Sequence, residues 1–144
     1  MTKLISALAL CVLAIASADA RDTRHNFPLK AVFDNPEHAE RLEGVRFYFG
    51  DQPHPTVEKS IMKTRTNKKT NAFKKEDQVA CEWALMSALV ALHQRALAEG
   101  GNAVINIESN YKSRPFRSDT EYQCGAGAIM AGVALKGEMV RLAN

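Results

Sequence analysis

The sequence predicts an α+β domain, with one long central helix packed on an antiparallel-rich sheet. Its elements are expected in the order strand, strand, helix, strand, strand, after an N-terminal addition. Three observations lead there. Asp77 to Glu99 contains neither proline nor glycine and stops at Gly100-Gly101. Val45-Arg46-Phe47-Tyr48-Phe49 alternates between Gly44 and Gly50, with Val45, Phe47 and Phe49 on the face to be buried. Ala103-Val104-Ile105-Asn106-Ile107-Glu108 follows the helix stop directly and has strand composition, with Ile105 and Ile107 expected on one face. At 46% hydrophobic and 24% charged over 144 residues, the chain fits one globular domain and not a disordered or collagen-like one.

The first segment reads as a leader. Lys3 precedes an apolar run from Leu4 to Ala16, and Ala18-Asp19-Ala20 follows, which is the pattern of a secretory signal peptide over residues 1–20. A membrane anchor, the other reading, needs about 18 or more apolar residues, and this run is shorter. Cys11 follows Leu10, where lipoprotein cleavage wants a small residue, so lipidation is not expected. Cleavage near Ala20 would leave a periplasmic or secreted domain, residues 21–144. Lys3 and Asp19 leave together, so the net charge stays at +3. Of three cysteines, Cys81 and Cys124 remain. In an oxidising compartment the simplest expectation is one bridge between them, the alternative being two separately buried thiols.

Taken in order, Phe27 to Phe33 suggests a short edge element, because Pro28 and Pro36 forbid a continuous helix. Asn35 or Asp34 can cap a short helix with Pro36 in its first turn, ended by Gly44. Val57 to Arg65 reads as a strand that could pair with Val45–Phe49, while Thr66 to Lys75 is polar, basic and loop-like. Asp77 is the expected cap of the long helix. On that helix Val79, Trp83, Met86, Val90 and Leu97 share one stripe, and Leu85, Leu89 and Leu92 form a second. A helix apolar nearly all round needs cover on more than one side, from a sheet and from the N-terminal segment or a partner chain. Tyr122 to Lys136 reads as one long strand interrupted by Gly125, Gly127 and Gly132, with Val140 and Leu142 on an edge.

Ala80-Cys81-Glu82-Trp83-Ala84, Arg95-Ala96 before Gly100-Gly101-Asn102-Ala103-Val104, Tyr122-Gln123-Cys124-Gly125, and Gly132-Val133-Ala134-Leu135-Lys136-Gly137 resemble a family of small secreted proteobacterial proteins. Phe47-Tyr48-Phe49-Gly50-Asp51 and Lys69-Thr70-Asn71-Ala72-Phe73 extend the likeness over most of the domain. That family often carries the label "excinuclease ATPase subunit". The label fails physically, because no G-x-x-x-x-G-K-[ST] run exists here to wrap phosphates. More distantly, the helix followed by Gly-Gly-Asn-Ala-Val and a strand is similar to the YbjQ-type domain and to the outer-membrane stress sensor of the Rcs pathway. Those likenesses imply a compact α+β fold, oligomeric in the first and disulfide-stapled in the second. The chain departs from the Rcs sensor in having two cysteines after the leader and no lipid-anchor cysteine.

No catalytic set can be assigned. Cys81 and His93 lie about 18 Å apart by helical rise, too far for a nucleophile and its base. His25, His38 with Glu37 or Glu40, and His54 are the weak candidates for metal ligands, and no H-x-x-x-H, H-E-x-x-H or C-x-x-C pair joins them. Neither a metal nor another cofactor is expected. Gly125 to Gly132 lacks the spacing of a nucleotide loop and is better explained by a strand lying close beneath the helix. The one charged signal is Lys59, Lys63, Arg65, Lys68, Lys69, Lys74 and Lys75, a run without an acid, closed by Glu76 and Asp77. It suggests either a solvated loop or a surface for anions such as lipid head groups or cell-wall polymer. Phe73 alone interleaves it, so nucleic acid is disfavoured. The expectation is therefore a non-enzymatic envelope binding or sensor module, partnered by an envelope protein, an anionic polymer or a second copy. The alternative is a small hydrolase-like or metal-binding protein with a hidden site.

Overall fold

Ala80, Ala84, Ala88 and Ala96 recur at helical spacing, and with Cys81, Leu85, Leu89 and Leu92 they make a face thin enough to lie close on a sheet. The structure is a computed structural model that describes residues 21–144; the expected leader and Cys11 lie outside the described residues. The elements are β1 (Thr23–Pro28), α1 (Lys30–Phe33), α2 (Pro36–Arg41), β2 (Arg46–Phe49), β3 (Val57–Asn71), α3 (Asp77–Ala98), β4 (Ala103–Ser109), β5 (Glu121–Ala126) and β6 (Met130–Leu142). A single 3-10 turn covers Tyr111–Ser113. The fold is α+β as expected, a curled six-stranded sheet with α3 packed on one face.

The centre of the sheet is β6. Along one edge it pairs antiparallel with β3 from Leu142–Val57 to Met130–Asn71. Its other edge is shared: β4 takes Val140 to Leu135, and β5 takes Gly132 and Ala131. Beyond β4 lies β2, the one parallel pair among the described residues, and beyond β5 lies β1 at the sheet margin. Ala131, Val133, Leu135 and Met139 of β6 face α3 in the main core. Ala103, Ile105, Val140 and Leu142 form a smaller cluster with Tyr48 and Val57.

Several expectations are corrected. The strand β3 does not pair with β2, and it runs on through Asn71 where a loop was expected. Thr64, Thr66 and Thr70 explain this, since alternate threonines turn toward the helix. Thr70 Oγ1 donates to Ala80 O at 3.1 Å, and Arg95 Nη1 donates to Thr64 Oγ1 at 2.6 Å. Tyr122 to Lys136 is two strands, because Gly127 to Ile129 turns the chain and Gly127 N donates to Met130 O at 2.8 Å. Val140 and Leu142 are buried in the central strand and not on an edge. Ile105 and Ile107 point to opposite clusters, because Asn106, at φ 53°, forms a bulge between them.

The N-terminal addition covers the second side of α3. Asn35 caps α2 by accepting from Glu37 N at 3.0 Å, and Val32 and Leu42 join the cluster that holds Met86 and Val90. Trp83, 54% exposed, borders Asn35 and His38 at the rim of that cover, and Val79 and Leu97 are also exposed, so the expected stripe is buried only in its middle. Asp77 is the first helical residue and not the cap, a place Glu76 takes without a side-chain bond. Cys81 and Cys124 are bonded and fully buried, tying the first turns of α3 to β5 across a separation of 43 residues. Replacing both by alanine should lower stability by up to about 4 kcal/mol on the chain-entropy model. Urea unfolding of the two proteins checks it. In the native state the bond should resist dithiothreitol until urea opens the core, as mass shift after alkylation would report.

Candidate anion-binding surface

Strand geometry divides the basic run. Lys63, Arg65 and Lys69 stand on the sheet face away from α3, Lys68 alternates to the other side, and Lys59 lies beyond a bulge opposite Arg141. Lys74 and Lys75 follow the strand in the short approach to α3, where Lys75 Nζ donates to Asn71 O at 3.1 Å. Arg65 is the register partner of Lys136, so the central sheet carries adjacent cations there. Lys136 is itself paired with Glu108 at 3.0 Å. Among the described residues none of the seven makes an ion pair. An open recess of about 520 Å³ lies over this face, lined by Lys63, Arg65, Lys136, Glu108 and Glu138 among others.

A second recess, of about 460 Å³, was not foreseen from the sequence. Gly125 and Gly132 are register partners, and the ring of Tyr111 lies across both. A Cβ at Gly125 would run into that ring, so these glycines make room for an aromatic and not for the helix. Tyr111 Oη donates to Asp22 Oδ1 at 2.7 Å, and Lys112 also pairs with Asp22. Arg24 sits 5.3 Å from the ring centroid. Burial, and then the bond to Asp22, push the Tyr111 hydroxyl up to about 12, so it stays a neutral donor. The Lys112 and Tyr111 hydrogen bonds hold the Asp22 carboxyl below its ordinary value. Arg21 and Lys69 complete the cations of the recess. The signal for it was the paired glycines with a tyrosine in the preceding loop.

Each of the four histidines has a hydrogen-bonding neighbour. The ring N–H of His38 donates to Val32 O at 2.9 Å, that of His54 to Pro55 O at 2.8 Å, and that of His93 to Glu43 O at 2.7 Å. His25 Nε2 lies 2.7 Å from Asp77 Oδ2. Among the described residues, no group of three or more His, Cys, Asp or Glu side chains converges as a metal site would require. Cys81 is in the disulfide and offers no thiolate.

Asp77 joins the segment leading into β1 to the helix. Arg21 donates to both its oxygens, at 2.8 and 3.0 Å, and also to Gly127 O at 2.9 Å. The Arg21 bond, with a smaller part from His25, holds the Asp77 carboxyl at about 2. A folded value below the ordinary one gives stability that is complete above about pH 4 and is lost as pH falls through 2. Acid unfolding monitored by circular dichroism should show that loss, and Asp77→Asn should flatten it. Gly125→Ala should destabilise by about 1–3 kcal/mol through overpacking, and by clearly less in a Tyr111→Ala background. Denaturant melts of the four proteins measure the coupling. No protein-family model matches this chain, and no curated protein matches its sequence.

Proposed function

We propose that the protein is a non-enzymatic binding or sensor module that acts in the periplasm or outside the cell and holds an anionic envelope ligand on β3 and its approach to α3. The observation that carries this reading is the set of seven cations that make no ion pair among the described residues, five of them ordered on one strand, although Glu138 stands opposite Lys63 in register. Cations fixed on a strand present a regular charge array, whereas the same residues on a loose loop would only solvate it. The extracytoplasmic location rests on the leader pattern over residues 1–20. A disulfide, and the lack among the described residues of a helix long and apolar enough to cross a membrane, are compatible with it. The resemblance to small secreted proteins, and more distantly to the YbjQ-type domain and the Rcs sensor, supports a compact disulfide-stapled module. It also supports an envelope protein or a second copy as partner.

Labelled polyphosphate, followed by anisotropy, tests the reading. Binding should weaken linearly on a log–log plot against salt, as counterion release requires. Changing Lys63, Arg65 and Lys69 together to Gln should weaken it by at least about tenfold, since each cation near an anionic surface is worth about 1 kcal/mol. No binding at low salt, or binding indifferent to the triple change, would end the proposal.

A further inference from the structure

One end of the molecule is apolar without a structural need. Phe73, Ile129 and Met130 are 58%, 67% and 50% exposed. The sheet joins what the sequence separates: Asn71 is the register partner of Met130, and Ala72 N donates to Ile129 O at 2.7 Å. Lys74, at φ 58°, bends the chain sharply there, and its Nζ stands 5.4 Å from the Phe73 ring centroid. Single exposed apolar residues are ordinary, but three large ones on adjoining backbone mark a contact surface.

Lysines surround this tip. Lys68 and Lys69 stand at the end of β3, and Lys74 and Lys75 follow it; Arg21 and Lys112 line the same recess as Ile129 and Met130 but are each paired with an acid. Those acids are Asp77 and Asp22, so the pairs cancel and the collar is the four lysines, with Glu76 the acid beside the run. An apolar tip inside a basic collar matches one surface chemistry, an interface with anionic head groups outside and hydrocarbon beneath. A soluble polyanion would match the collar and leave the three side chains in water. A second copy meeting tip to tip would set lysine against lysine.

We propose that this tip docks the protein on an anionic phospholipid bilayer, with Phe73, Ile129 and Met130 entering the interface and Lys69, Lys74 and Lys75 meeting the head groups. The inference rests on the anion-binding reading and adds to it an apolar contact and a defined orientation.

The test is co-sedimentation of the exported protein with phosphatidylglycerol-containing vesicles and with pure phosphatidylcholine vesicles, beside the polyphosphate titration. Binding should need the anionic lipid. Phe73→Ser with Ile129→Ser and Met130→Ser should weaken it by at least about tenfold and leave polyphosphate affinity unchanged, because only the bilayer buries apolar area. Changing Lys69, Lys74 and Lys75 to Gln should cost about fivefold for each lysine. The chain has one tryptophan, so Phe73→Trp in a Trp83→Phe background gives a probe at the tip whose emission should shift to the blue on anionic vesicles. Polyphosphate binding without vesicle binding, or vesicle binding with neither a serine effect nor an emission shift, overturns the docking and leaves the anion reading standing. Failure of both ligands overturns both. A stable dimer split by the serine changes would assign the tip to a second copy and also overturn the docking.

Discussion

The strand β6, from Met130 to Leu142, answers to neighbours on both sides, β3 along one edge and β4 then β5 along parts of the other. Its helix-facing side chains also form the floor on which α3 lies. This is the constraint from which the remaining architecture follows. The alanine face of α3 can approach closely because that floor is itself small and branched, and close approach allows the bridge between Cys81 and Cys124. Where β4 gives way to β5 along the shared edge, Asn110 N fills the ladder by donating to Ala134 O at 2.8 Å, and Tyr111 covers the glycines beyond it. A change that unseats β6 therefore disturbs helix, bridge and both surface recesses together.

The basic strand has two physical roles that do not compete. As the outermost neighbour of β6, β3 exposes a long row of unpaired main-chain groups, and lysines along such an edge deter another strand from adding to it. The same side chains concentrate positive potential on one flank of the molecule. Alternation aims Lys63, Arg65 and Lys69 to the open sheet face, so this part of the array is directional.

How much of this could be read in advance depended on the kind of signal. The helix was legible because Asp77 to Glu99 lacks breakers and Gly100 can adopt the positive φ its stop requires. The bridge was legible because two cysteines remain once a leader is set aside. The long β3 was not, because hydrophobicity is a poor guide where one strand face is solvated and the other is lined by threonine. The alternating Thr64, Thr66 and Thr70 were the overlooked sign. The β5–β6 turn was missed since Gly127-Ala128-Ile129 contains no Asn, Asp or Pro to mark it. The seven cations were found as a run but not as an array, and the apolar tip was invisible because strand pairing alone brings Phe73 to Ile129.

The strand that everything leans on is also the last to be laid down in chain order. A polypeptide emerging N-terminus first, from a ribosome or through a membrane pore, has β3 and the pairs β1–β5 and β2–β4 in hand with no central strand to join them. Their joining waits on the stretch from Met130 to Leu142. Until it arrives, the emerging chain can form the pairs β1–β5 and β2–β4 but cannot join them into one sheet, a delay that long-range pairing imposes. Threading through a narrow channel is easier for such a chain than for one whose early segments fold on their own. The position of one strand in the connectivity thus acts as a timer on the whole molecule.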